Sequence, residues 1–303
     1  VMGQVRTLLG IGALVPAATG AISWGLLTRS RRRGVNLFTT AFPQLLLAAN
    51  GVSINVLGRD NLTAKRPAVF IFNHRNNFDP VISAALLKDN WTGVGKKELE
   101  SDPVVGTLGK IVDTVFIDRD DPKSAVETMQ RVENLVEKGL SILIAPEGTR
   151  LDTRTVGPFK KGPFRLAMAA GVPIVPIVIR NAEVIAPRDS STMNPGKVDV
   201  VVYPPISVAD WTVDDLSDRI AEVRQLYLDT LKDWPEDKVP TPDIYRRRPA
   251  KQSVPAKKAA AKKAPAKKAP AKKAAVKKVA AKKQPARKAA VKKAQPVNPK
   301  AQS

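Results

Sequence analysis

Cysteine is absent from the 303 residues, histidine occurs once, and aromatic residues make up only 5%. Without thiols the chain has no disulfide framework, no thiolate metal site and no cysteine nucleophile. One histidine cannot build a multi-histidine metal centre. The patterns GxGxxG, GxxxxGK(S/T) and GxSxG are also missing. Dinucleotide binding, P-loop chemistry and the common serine-hydrolase elbow therefore lose their simplest support.

Acidic residues are missing regionally. From Arg246 to Ser303 there are 21 basic residues and no acidic one. Residues 1–245 hold 29 Lys+Arg against 28 Asp+Glu, so the net +22 of the whole chain belongs to its tail. In that tail basic pairs recur every five residues, from Lys257/Lys258 to Lys292/Lys293, with Ala and Pro between them. A step of five turns about 140° beyond a full helical turn, so the pairs mark no helix face. Proline and self-repulsion predict a disordered, extended polymer over 246–303.

The near-neutral remainder is long enough for one α/β domain with a buried core, or for two small domains. It opens on twenty uncharged positions, Leu8 to Leu27. As a helix that run reaches about 30 Å, the thickness of a bilayer's hydrocarbon. Arg29, Arg31, Arg32 and Arg33 follow, a cluster that stays on the cytoplasmic side and can contact anionic lipid. A signal peptide cut near Ala17 and Ala18 is one rival reading, and a buried core helix the other. Val35–Ala49 is apolar but short and broken by Pro43, which suits an interfacial helix or one packed on the domain. Residues 1–49 are thus assigned to hydrophobic membrane-anchoring helices. Val1 in place of an initiator Met fits either a start codon read literally or a chain cut from a longer one.

From Asn50 onward β-rich runs alternate with helical patterns. Strands are predicted at Ala68–Phe72, Thr114–Ile117, Ser141–Ala145, Ile174–Ile179 and Val198–Tyr203. Helices are predicted at about 80–88, 122–138, 164–170 and 213–234. The alternation reads as an α/β domain over 50–245, a mostly parallel sheet flanked by helices.

The single histidine stands in Asn73-His74-Arg75-Asn76-Asn77-Phe78-Asp79-Pro80. A buried strand precedes it, and Asp79-Pro80 reads as an N-cap and first helical position. A turn there brings His74 to Asp79, and a fixed carboxylate makes an imidazole a better base. A histidine that merely closes a turn is the bland alternative. Pro146-Glu147-Gly148-Thr149-Arg150 follows another strand and offers a permissive glycine, a hydroxyl and a bidentate cation for phosphate. Arg119 follows a third strand. Lys160-Lys161-Gly162 opens a helix, where an anion is favoured. In a parallel sheet the carboxyl ends of the strands share one edge, so one base and several cations would face one cleft. With a membrane-seeking N-terminus, that points to a phosphate-bearing lipid whose hydroxyl is activated.

These blocks resemble the glycerolipid acyltransferases, the 1-acylglycerol-3-phosphate acyltransferase (PlsC-like) family. His74 to Asp79 is similar to its N-H-x4-D motif and Glu147 to Arg150 to its E-G-T-R block. Gly95–Leu99 with Val115–Arg119, Phe159–Phe164 and Val172–Ile177 resemble the other blocks, in order, over about residues 50–210. The resemblance implies acyl transfer from a thioester, acyl-CoA or acyl-acyl-carrier protein, to the free hydroxyl of lysophosphatidic acid, giving phosphatidic acid. It implies His74 as general base oriented by Asp79, and an acceptor site from Arg119, Glu147, Gly148, Thr149 and Arg150, helped by Lys161. It implies no metal and no cofactor, and a membrane-associated enzyme on the cytoplasmic face. Glu147 fits a phosphate site poorly, since a carboxylate repels phosphate; ordering Arg150 or nearby backbone is its alternative role. Backbone amides near His74 or Gly148 are candidate oxyanion donors. Other acceptors, such as glycerol 3-phosphate, another lysophospholipid or a glycolipid, remain open, as does an inactive tethering protein. The tail lies outside the resemblance, with anionic membrane as its favoured partner and nucleic acid as the alternative.

Overall fold

The computed structural model describes residue 12 and residues 14–118, 122–150 and 155–245. Arg119 and the tail at 246–303 lie outside the described residues, as does most of the segment before Leu14.

Seven strands form one sheet: β1 Val52–Leu57, β2 Val69–Phe72, β3 Trp91–Lys96, β4 Val115–Ile117, β5 Ser141–Ile144, β6 Ile174–Arg180 and β7 Gly196–Val202. Their order is β1-β7-β6-β2-β5-β3-β4. Only β6 and β7 run antiparallel; every other neighbouring pair is parallel. The central strand β2 reads Val-Phe-Ile-Phe and is buried on both faces, as a parallel strand covered by helices must be. Alternation sorts it: Phe70 and Phe72 enter one core cluster, Val69 and Ile71 the other.

The first cluster lies under α1 (Leu14–Leu27), α2 (Arg31–Ala49) and α3 (Asp79–Leu87). Beyond the short α4 (Val105–Ile111), the second cluster lies under α5 (Pro122–Glu137), α6 (Gly162–Ala169) and α7 (Leu216–Lys232). The result is three layers, helix–sheet–helix.

Two strands differ from expectation. β1 and β3 were not anticipated, because Ser53 and Asn55 dilute one and Gly93 and Gly95 the other, and glycine is a poor strand former. Gly95 is explained by packing: a Cβ there would stand 3.1 Å from the Phe116 ring on β4.

The N-terminal region also departs from its reading. α2 runs unbroken through Pro43. Proline in a helix interior costs about 3 kcal/mol. Burial of Phe38, Phe42, Leu46 and Leu47, worth about 1.5–3 kcal/mol per side chain, offsets that. α1 crosses α2 closely, since a Cβ on Gly34 would meet the Ala21 carbonyl at 2.6 Å. Among the described residues no helix is long and apolar enough to cross a membrane. Of the four arginines expected at lipid, two turn to the domain. Arg31 grips Asp113 with both terminal nitrogens, at 2.8 and 2.9 Å, and half-buried Arg32 donates to the Trp91 carbonyl at 3.3 Å. Arg29 and Arg33 stay exposed, beside exposed Val15, Ile22, Trp24, Leu26 and Leu27.

Candidate active site

The carboxyl ends of β2, β5 and β6 meet at one edge of the sheet, and the loop leaving β2 is fixed there from its first residue. Asn73 is buried, donates to the Ile179 carbonyl at 2.9 Å and accepts the Ile179 amide at 2.8 Å. That amide clamp continues the β2–β6 ladder past the end of the strand. Just below it Tyr227 inserts its hydroxyl between the strands, donating to Ile71 O at 2.7 Å and accepting from the Ile177 amide at 3.2 Å. Complete burial pushes that phenol well up.

His74 comes next, and its Nδ1 lies 3.1 Å from Asp79 Oδ2. The same oxygen accepts the backbone amides of Arg75 and, at 2.7 Å, Asn76. An ionised carboxylate only accepts, so Nδ1 is the donor, and in the neutral imidazole Nε2 is the nitrogen with the lone pair. The Asp79 side chain is 1% exposed and that of His74 20%, so the anchor is dry while the imidazole reaches solvent. Asp79 was expected to cap α3. The cap position falls instead on Phe78, and the carboxylate turns back to gather the loop's amides. A five-residue spacing would separate the two side chains on a helix; the turn is what joins them.

Glu147 is buried and fully engaged. Its Oε1 accepts the His74 amide at 2.9 Å and its Oε2 the Gly157 amide at 2.8 Å. Both oxygens hold backbone, the kind of contact an ordering role requires. Burial pushes its carboxyl up, while the two amides pull the other way. Gly148, next in the chain, takes φ 75°, a left-handed turn that glycine makes without a Cβ clash. The amides of His74, Arg75, Asn76, Phe78 and Gly148 all have internal acceptors. The amides of His74 and Gly148 themselves are thus engaged within the fold.

Arg150 reaches the histidine loop directly: its Nη1 donates to Asn77 Oδ1, and to the Arg188 carbonyl at 3.2 Å. It also pairs with Asp189 at 3.3 Å. Thr149 is exposed. Lys161 is exposed at the start of α6, and the Lys160 amide ties that segment to the Pro146 carbonyl at 2.8 Å. The structure therefore gathers His74, Asp79, Glu147, Gly148 and Arg150, sets Lys161 on the adjoining segment, and leaves Arg119 outside its described residues.

Sequence reasoning missed the asparagines and the loop joining β6 to β7. Asn76 is buried and donates to the carbonyls of Ala182 and Ala186, at 2.8 and 3.0 Å. Asn77 donates to Ser190 O at 3.0 Å. Three asparagines around one histidine were visible, but their partners lie more than a hundred residues away. Among the described residues no group of three or more His, Cys, Asp or Glu could hold a metal ion.

Comparisons with known proteins point to one family. A family model described as Acyltransferase matches residues 53–180. A 1-acyl-sn-glycerol-3-phosphate acyltransferase of Limnanthes alba is 31% identical over 219 residues, covering 70% of this chain and 77% of the relative. One from Saccharomyces cerevisiae is 33% identical over 186 residues, covering 60% and 61%. In fold, the chain is similar to the crystal structure of the 1-acyl-sn-glycerophosphate (LPA) acyltransferase PlsC from Thermotoga maritima. That likeness has a TM-score of 0.60 at 22% identity and covers 77% of this chain and 99% of the other.

Proposed function

The chain belongs to the acyltransferase family that includes the 1-acyl-sn-glycerol-3-phosphate acyltransferases, and on that premise we propose that it acylates lysophosphatidic acid to phosphatidic acid. The observation that carries the proposal is the His74–Asp79 contact at 3.1 Å, on a loop that Arg150 also holds through Asn77. His74 Nε2 removes the proton from the acceptor hydroxyl as its oxygen attacks the thioester carbonyl. Asp79 fixes the tautomer and stabilises the imidazolium. The tetrahedral adduct collapses, the C–S bond breaks, and the proton returns to the leaving thiolate. The products are a diacylated phosphate and a free thiol. Neither metal nor cofactor is needed for that sequence, and the donor is acyl-CoA or an acylated carrier protein.

Arg150 binds the acceptor's phosphate, with Arg119, Thr149 and Lys161 as further members of that site. Glu147 acts through backbone, holding the histidine loop to the Gly157 segment. The exposed apolar side chains of α1, with exposed Arg29 and Arg33, support docking at the surface of a membrane on its cytoplasmic face. The basic tail adds attraction to anionic lipid, about 1 kcal/mol per residue near the surface.

The test is an acyl-transfer assay in detergent with radiolabelled acyl-CoA and lysophosphatidic acid, run beside His74→Ala. Labelled phosphatidic acid from the wild type alone supports both the reaction and the base. Turnover of glycerol 3-phosphate, another lysophospholipid or a glycolipid in its place would reassign the acceptor. Removing 246–303 should weaken binding to anionic liposomes; loss of DNA binding alone would hand the tail to nucleic acid.

A further inference from the structure

Arg150 and Arg188, thirty-eight positions apart, exchange hydrogen bonds across two loops. Arg150 Nη1 donates to the Arg188 carbonyl at 3.2 Å, and Arg188 Nη2 donates to the Arg150 carbonyl at 3.0 Å. The exchange ties the two loops together, each guanidinium lying against the other arginine's main chain. The anion paired with Arg150 is Asp189, whose side chain is 75% exposed and therefore offsets little of the Arg150 charge. Arg150 Nη1 also faces three acceptors, Asn77, Arg188 O and Asp189, with only two N–H bonds to give. At least one of those contacts is exchangeable, and the exposed carboxylate is the one water replaces most easily.

Arg188 is not on a loose strap. Asn76 holds Ala182 and Ala186 before it, and Asn77 holds Ser190 after it, so the catalytic loop itself sets where Arg188 stands. A phosphate monoester carries close to two negative charges near neutrality. One guanidinium neutralises half of that, and two forks can bind it fully.

We infer that Arg188 is a second cation of the acceptor's phosphate site, contacting the phosphate directly and setting the preference for phosphorylated over unphosphorylated acceptors. The inference rests on the acyl-transfer reading above. Nothing in the local sequence marks Arg188; its position is known only through the partners of Asn76, Asn77 and Arg150.

The experiment compares kcat/KM for lysophosphatidic acid with that for monoacylglycerol, using the full chain in detergent. Wild type, Arg188→Ala, Arg188→Lys, Arg150→Ala and the double alanine variant are measured, each with its thermal midpoint. Arg188→Ala should lower the ratio of the two values about 10- to 100-fold, the weight of a charge-assisted contact. Arg188→Lys should recover part of it, since charge remains while the fork is lost. Adding Arg188→Ala to Arg150→Ala should lower the ratio further. A selective wild type with an unchanged ratio in Arg188→Ala overturns the role of Arg188 alone. So do equal losses on both acceptors, or no additional loss in the double variant, which would make Arg188 a mere support for Arg150. A wild type that does not discriminate overturns the phosphorylated-acceptor reading and this inference with it.

Discussion

Two parts of one sheet edge are built on opposite plans. The side chains that anchor the loop after β2 are dry: Asn73 and Asn76 are each 1% exposed, Asp79 0% and Glu147 5%. Every one of them ends on backbone. The cationic patch beside it is wet. The Arg150 side chain is 33% exposed and its partner Asp189 75%. Buried hydrogen bonds hold a geometry because leaving them unmade is costly, whereas exposed ion pairs contribute about 0–1 kcal/mol and exchange readily. The division suits the proposed chemistry. A base must not move, while a phosphate site must release its resting contacts to admit a ligand. Changes in the dry loop should therefore strike kcat, and changes in the wet patch KM.

The comparison is tested most severely at His74. His74→Ala should abolish turnover while circular dichroism and the thermal midpoint stay near wild type, because Asp79 keeps the Arg75 and Asn76 amides, and Glu147 the amide of residue 74, without the imidazole. Activity within tenfold of wild type would remove the mechanism. Asp79→Asn should cost kcat about 10²- to 10⁴-fold, since the amide neither stabilises an imidazolium nor enforces one tautomer. A variant that changed KM alone would contradict the assignment of this loop to the chemical step.

Glu147→Gln probes the same loop from behind. One acceptor oxygen becomes a donor facing an amide, either that of His74 or that of Gly157. A buried unsatisfied amide costs about 1–3 kcal/mol. We expect kcat to fall about tenfold, with stability lost in that range. The pH dependence has a definite sign. Burial raises the folded-state carboxyl, so its contribution to stability is present below the ordinary carboxylate value and is lost as the pH rises through the raised one. Wild type should thus gain on the Gln variant as pH falls through that window. A stability difference that is flat in pH would mean that the two amides cancel the cost of burial.

How much of this could be read from the chain depends on the range of each interaction. His74 and Asp79 were legible because the pair is local, and a strand before it with Asp-Pro after it demands a turn. Glu147 was legible as a position but not as a role. Its partners lie 73 residues before it and ten after, and only the fold says that both its oxygens meet backbone. The apolar strands β2, β5 and β6 announced themselves, as did the helices after β2 and β5. β1 and β3 did not, since their polar and glycine positions make sense only against β7 and Phe116. Pro43 was read as a break by local rule, and core packing overrode it. The arginines after Thr28 were read as one lipid-facing cluster, yet Arg31 and Arg32 answer to Asp113 and Trp91, which no local pattern reveals.

The mildest change sharpens the contrast from the wet side. Arg150→Ala deletes a guanidinium whose partners are Asn77 and Asp189, both exposed, and one carbonyl on a surface loop. Water can take up each of them, so folding stability should move by no more than about 0.5 kcal/mol. Binding is different, because the phosphate loses a fork that water cannot imitate. KM for the phosphorylated acceptor should rise about tenfold, with kcat within a few-fold of wild type. Arg150→Lys should fall between, keeping the charge but not the paired donors. Measuring both constants separates the alternatives. A fall in kcat at constant KM would mean that Arg150, through Asn77, steadies the histidine loop rather than the acceptor, and the wet patch would then be an extension of the dry one.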